Sequence, residues 1–280
     1  MQPRPSESIY NKLLTASTLV QFRPALISGY AIGALDMSLA SRRILSIPTQ
    51  LGCRVGCTFC ISSTQPLIRN LSANDMLSMV RSCLAAESAD GRPMELSFTG
   101  EGEPALNWKA AAQVCRELAS LSPDFNAVRY CFSGIGADRL LGKLDGGPYP
   151  VRLQFSLHAA RQSVRSALVP NSLPLDRIAI ALQETRHRFS AIELNVVLQE
   201  GVNDSPEDLA ALADWGDPAW PILLNPLLRD GQEHIAATTD WAQALLEGAG
   251  RRVLRYTRIA ERISRERIYP LLSARALSAS

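Results

Sequence analysis

Three of the chain's six cysteines, Cys53, Cys57 and Cys60, crowd into the run CRVGCTFC with the spacing C-x3-C-x2-C. In a reducing compartment such a crowd points to a metal or cluster site, not to a disulfide framework. Zinc favours four ligands, often as two C-x2-C pairs, and the chain has no second pair. A cubane iron–sulfur cluster normally takes four thiolates. Three thiolates in one loop therefore leave one iron without a protein ligand, free to hold a small molecule by chelation. The scattered cysteines, Cys83, Cys115 and Cys131, fall within apolar patterns and read as core.

A second stretch with chemical content is LSFTGEGEPALN, Leu96–Asn107. It ends an apolar, strand-like run in glycines, which let a ligand approach the backbone closely. Glu103 could accept hydrogen bonds from an ammonium group in a water-poor site. Alone this would be an ordinary strand-end turn; following the cysteine triad, it suggests a second wall of the same site.

The elements that must position these residues alternate. Expected strands are Arg43–Pro48, Met94–Thr99, Ala127–Phe132, Val151–Leu157, Ile192–Leu198 and Trp220–Leu224. Between them lie expected helices at Ser72–Ala86, Trp108–Leu121, Ala137–Leu144, Leu175–Phe189 and Pro206–Trp215, with Thr239–Glu247 following the last strand. Ser72 with Asp75 makes a capping-box-like start, and Pro206 after Ser205 sits where a first helical residue tolerates proline. Strand and helix repeated about six times predict an α/β fold with a parallel sheet. Periodicity alone does not say whether the sheet closes into a barrel. Residues 1–42 lie outside the pattern and read as a short helix and hairpin-like extension. Residues 43–250 form the expected catalytic domain, and 251–280 a basic C-terminal segment with eight arginines against two glutamates from Arg251 to Arg275. That run could meet phosphate or be a solvated helix face.

At 280 residues, 46% apolar and net charge +2, the chain suits one large α/β domain. No apolar run approaches the ~20 residues of a membrane helix, and the N-terminus lacks a secretory pattern. A cytoplasmic address with no membrane partner is the expectation.

C-x3-C-x2-C with an aromatic, Phe59, before the last cysteine resembles the radical S-adenosylmethionine superfamily. There, three cysteines hold a 4Fe–4S cluster whose open iron binds the methionyl amine and carboxylate of S-adenosylmethionine. Reductive cleavage then gives methionine and a 5′-deoxyadenosyl radical. Further motifs, in order, are similar to the RlmN and Cfr family of ribosomal RNA adenosine methyltransferases. These are Thr49–Phe59 (TQLGCRVGCTF), Arg69–Leu71 (RNL), the GEGEPALN stretch, Phe155–Ala159 (FSLHA), Arg165 with Leu168–Pro170, Gly201–Asp204 (GVND) and Asn225–Pro226. The resemblance covers residues 44 to about 258. It implies a partial (β/α)6-type barrel with Cys53, Cys57 and Cys60 as cluster ligands. It also implies S-adenosylmethionine contacts from Gly102, Glu103, Ser133, Ser156, His158 and Asn225. The family's STSG element corresponds to Cys131–Gly134, with Cys131 in place of its first serine. An electron donor such as flavodoxin or ferredoxin is implied as partner.

Two family cysteines are replaced. The one before the cluster corresponds to Ser46, and the C-terminal methyl carrier, aligned without gaps, to Glu266; no cysteine follows Cys131. The family's N-terminal RNA-binding domain is also expected to be mostly missing. Neither a serine nor a glutamate can carry a methyl thioether. The leading expectation is therefore a radical enzyme that abstracts hydrogen from a small-molecule or nucleoside-like substrate. The alternative is an RNA adenosine methyltransferase whose carrier has moved to Cys131 or to a partner protein. A non-enzymatic iron–sulfur sensor is a third reading, disfavoured because such a site needs neither an open iron nor Glu103.

Overall fold

The computed structural model describes residues 19–39, 41–64, 66–86, 91–229, 232–255 and 274–275. Its framework is a ten-stranded sheet in the order β1-β2-β3-β6-β7-β8-β9-β10-β13, with β14 (Ala274–Arg275) beside β2. β1 (Leu19–Ile27) and β2 (Tyr30–Ser38) form an antiparallel hairpin, and β2 runs antiparallel to β3. From β3 (Arg43–Ile47) the ladder is parallel through β6 (Met94–Phe98), β7 (Phe125–Phe132), β8 (Val151–Ser156), β9 (Ala191–Val197), β10 (Ile222–Asn225) and β13 (Val253–Arg255). The pairing path ends at β1 and β13 without joining them, so the barrel is open. Two short ladders lie apart: β4 (Gln50–Leu51) with β5 (Arg69–Asn70), and β11 (Leu227–Arg229) with β12 (Gln232–His234).

Strands buried on both faces usually read as continuous apolar runs. Here β8 (VRLQFS) and β9 (AIELNVV) instead alternate. Leu153, Phe155, Ile192, Leu194 and Val196 face the helices and enter one core with Met76, Val80, Val114, Leu118, Ile178, Leu182 and Leu209. Arg152, Gln154, Ser156, Glu193 and Asn195 lie between them on the opposite face. Period two assigns the faces, and the polar one lines the inside of the barrel.

All six expected strands form, and each crossover carries helix. These are α1 (Ala73–Ala86), α2 (Trp108–Leu121), α3 (Ala137–Leu140), α4 (Gln162–Leu168), α5 (Leu175–Thr185), α6 (Pro206–Asp214) and α7 (Thr239–Gly248). The start of α1 is a reciprocal cap: Asp75 N–H donates to Ser72 Oγ at 3.1 Å, and Ser72 N–H to the Asp75 carboxylate at 2.8 Å. Ser205 Oγ caps α6 by accepting from Asp208 N–H at 3.1 Å. Besides the short strands β4, β5, β11, β12 and β14, two elements of the strand–helix frame exceed the sequence expectation. The seventh parallel strand, β13, is only three residues long, and α4 is only seven, too short for a periodic signal. The expected helices at Ala137–Leu144 and Leu175–Phe189 are shorter than read, each finishing as a 3₁₀ turn, at Leu141–Lys143 and Arg186–Arg188. Most of the basic segment, including Glu266, and the N-terminal helix expectation fall outside the described residues. Among the described residues no helix is long and apolar enough to cross a membrane.

Candidate active site

In barrels the loops leaving the C-terminal ends of the parallel strands are the usual place for a site. Here those loops enclose a cavity of about 370 Å³. Every site residue expected from the sequence lines it: Cys53, Cys57 and Cys60 on one wall, Gly102 and Glu103 on a second, and Cys131, Ser133, Ser156, His158 and Asn225 around the strand ends. Ser46 lines it too. Of the three scattered cysteines, Cys83 and Cys115 are fully buried core residues. Cys131 corrects the core reading: alternation along β7 puts it on the cavity side between Arg129 and Ser133, with Sγ 3.2 Å from Gln154 Oε1.

The cysteine loop is pinned from both sides. Thr58 N–H donates to Leu168 O at 3.0 Å, and Asn171 Nδ2 to Val55 O at 3.1 Å. Val55 packs with Ala159, Leu168 and Val169, with Cys53, Cys57 and Phe59 against them. At the loop's entrance Gly52 has φ +75°, and a Cβ there would lie 2.0 Å from Pro66 O. Burial pushes the Cys53 thiol up to about 11 and the Cys57 thiol further still, each raised additionally by the Cys60 thiol. Both therefore hold their protons at neutral pH until a metal displaces them. Among the described residues no three His, Cys, Asp or Glu side chains converge closely enough for a single metal ion. Cys53, Cys57 and Cys60 nevertheless line one cavity.

Glu103 is 3% exposed. Its carboxylate accepts from Ser133 N–H at 2.9 Å and Ala105 N–H at 3.1 Å, and it pairs with no cation among the described residues. Burial outweighs those bonds and raises its carboxyl to about 7. Its own N–H donates to Gln50 Oε1 at 2.7 Å, while Gln50 Nε2 donates to Asn70 Oδ1 at 2.7 Å. Gly102 has φ +97°, and a Cβ there would sit 2.6 Å from Gln50 Cβ. Asn107 Nδ2 closes the assembly on the carbonyls of Thr49 and Leu71, 2.8 Å each. The motif residues thus divide: some line the cavity, and Gln50, Asn70 and Asn107 hold its walls together.

His158 sits in the left-handed region at φ 57°, a conformation costly for a side chain with a Cβ. Asn203 holds it there, donating from Nδ2 to His158 O at 2.6 Å and Val197 O at 2.9 Å and accepting from Gln199 N–H at 2.7 Å. Val197 N–H donates to His158 Nδ1 at 3.1 Å, which places the proton of the neutral ring on Nε2. Burial, then the neighbouring Arg165 cation, lowers its pKa well below the ordinary value. Arg165 is fully buried. It donates to the carbonyls of Ser133, Ser156 and Leu157 and lies over Phe155, tying the ends of β7 and β8 to α4.

No family model matches the chain. It is 34% identical over 195 residues to the dual-specificity RNA methyltransferase RlmN of Anaeromyxobacter sp., covering 66% of this chain and 52% of that protein. It is 27% identical over 266 residues to a probable RlmN of Bifidobacterium adolescentis, covering 88% and 68%. A radical SAM methyltransferase structure from Sphaerobacter thermophilus superposes with a TM-score of 0.70 at 24% identity, over 84% of this chain and 76% of that one. The chain is an RlmN-like radical SAM enzyme. Its partial barrel is also that of Streptococcus suis SuiB, at a TM-score of 0.53 and 13% identity over 80% of this chain and 52% of that one. The RlmN-like chain spans about half to two thirds of the length of the relatives it matches. Radical SAM enzymes work with a 4Fe–4S cluster and S-adenosylmethionine. Three thiols on one wall of this cavity, with an unpaired buried carboxylate on the next, fit that pair.

Sequence reasoning missed Gln154, Asn195 and Glu101, which also line the cavity. The first two had a signal: polar residues every second position in strands of a parallel sheet.

Proposed function

We propose that this RlmN-like enzyme generates a substrate radical by hydrogen abstraction and does not carry a methyl group through its own cysteine. Cys53, Cys57 and Cys60 would hold the cluster, and a reductant such as flavodoxin or ferredoxin would reduce it in the cytoplasm. The chemistry such a cluster would supply is the electron for reductive cleavage of S-adenosylmethionine to methionine and a 5′-deoxyadenosyl radical. Glu103 would accept the methionyl ammonium, its two backbone donors keeping the carboxylate aimed into the cavity. Gly102, lacking a Cβ, lets Gln50 pack against the turn that carries Glu103. Neutral His158 offers a donor at Nε2, and Ser133, Ser156 and Asn225 would contact the ribose and adenosyl end.

The observation that carries the hydrogen-abstraction reading is Ser46. It lines the cavity at the position of a family cysteine, where a hydroxyl cannot take a thiol's part. One observation favours a second reading, methyl transfer to RNA as in the named relatives: Cys131 shares the cavity. Burial pushes its thiol up to about 11, however, so little of the nucleophilic thiolate exists at neutral pH. Reconstituted enzyme given methyl-labelled S-adenosylmethionine, a reductant and ribosomal RNA distinguishes the two. The expected products are 5′-deoxyadenosine and unlabelled adenosine, with no label on protein. Label on Cys131, or methyladenosine in the RNA, favours methyl transfer; absence of 5′-deoxyadenosine under every condition overturns both.

A further inference from the structure

At the opposite end of the barrel, the N-terminal ends of the same strands enclose a second cavity of about 530 Å³. Five guanidinium groups line it: Arg42, Arg129, Arg152, Arg186 and Arg252. Their carboxylate partners are fewer. Glu95, 2% exposed, lies 2.6 Å from Arg129, 2.8 Å from Arg152 and 3.8 Å from Arg42. Glu193 takes another nitrogen of Arg129 at 2.5 Å, and Asp217 pairs with Arg186 at 3.3 Å. Arg252 pairs with no carboxylate among the described residues. Arg42 Nε is buried without a hydrogen-bond partner. Among the described residues five cations thus meet three anions, Glu95, Glu193 and Asp217, around one cavity.

Gathering uncompensated guanidinium groups around a partly desolvated space is unfavourable unless an anion joins them. Planar guanidinium forks match phosphate oxygens two at a time. The volume is that of a small-molecule pocket. We propose that this cavity binds a small phosphate-bearing anion, most simply a di- or triphosphate group. Arg42 and Arg252 would be the principal new contacts, with Arg129 and Arg152 held in place by Glu95.

Inorganic pyrophosphate titrated calorimetrically into the full-length protein, at fixed ionic strength, tests this. One saturable site per chain is expected, weakened about tenfold or more in Arg252→Ala and in Arg42→Gln, as for loss of a hydrogen bond to a charged group. Arg252 lies on the exposed rim without an ion-pair partner, so its replacement leaves the fold intact, and melting temperature checks this. Glu103→Gln, in the other cavity, should bind pyrophosphate unchanged. No saturable binding, affinity indifferent to both arginine substitutions, or loss of binding in Glu103→Gln overturns the proposal. So does a ribo-oligonucleotide that displaces pyrophosphate and depends on the same two arginines, which would make the cavity an RNA-backbone contact.

Discussion

The Glu103 carboxylate accepts the backbone N–H of Ser133 at 2.9 Å, so a buried anion joins the turn after β6 to the turn after β7. The bond makes Glu103 part of the wall; Oε1 accepts from Ala105 N–H and Oε2 from Ser133 N–H, and each keeps a second lone pair for a ligand. Glu103→Gln keeps the shape but loses the charge. S-adenosylmethionine affinity, measured by equilibrium dialysis, should fall about ten- to a hundredfold, the worth of a charge-assisted hydrogen bond. Iron and sulfide content should not change.

The same residue sets a pH dependence. With its carboxyl at about 7 in the empty cavity, Glu103 is largely protonated below that pH and ionised above it. Binding of an ammonium ligand needs the carboxylate, so affinity should rise as pH is raised through about 7 and level off above. Below pH 7, binding should release a proton, which calorimetry in buffers of different ionisation enthalpy detects. A flat affinity between pH 6 and 8 would remove Glu103 from the ammonium site.

Cys53→Ala, Cys57→Ala or Cys60→Ala should abolish cluster assembly, which in the unmodified protein takes about four irons and four sulfides. Cys83→Ala and Cys115→Ala should keep the cluster, read by absorbance and iron analysis, since both thiols are sealed in the core. Purified protein holding one zinc and rejecting iron–sulfur assembly would contradict this assignment.

Arg165→Met takes the guanidinium donor from the carbonyls of Ser133 and Ser156, while Leu157 O keeps the Ala159 N–H at 2.7 Å. At roughly 1–3 kcal/mol for each buried group left unpaired, a loss of about 3 kcal/mol or more is expected in urea unfolding. Because α4 also carries the carbonyls that hold Thr58, the cysteine loop should become more open to protease. Unchanged stability would mean water replaces the guanidinium, and the loop protection would then persist.

Asn203→Ala should lower stability by about 2 kcal/mol, since the carbonyls of His158 and Val197 and the N–H of Gln199 lose one partner. It should also weaken S-adenosylmethionine binding several-fold by releasing His158 from its left-handed turn. Asn203→Asp, which keeps the acceptor for Gln199 but not the donor, should recover only part of either loss.

Much of this was legible before any coordinates. Alternating strands and helices announced the parallel sheet because the two periods, two and 3.6, leave different marks on a sequence. The cysteine spacing announced a cluster because ligands on one short loop must be close. Short elements escaped for the same reason in reverse: three residues of β13 and seven of α4 are too few repeats for either period to stand out. What the chain order could not decide is which motif residues face the cavity and which hold it. Gln50 and Asn107 belong to the same motifs as Cys53 and Glu103, and Asn70 to the RNL between them, yet they bond to backbone and to one another. Nor could it show that Arg42, Arg152 and Arg252, spread over more than two hundred positions, converge at one end of the barrel. Sequence records local spacing and periodicity; only the closure of distant strands side by side decides which buried polar groups find partners and which are left for a ligand.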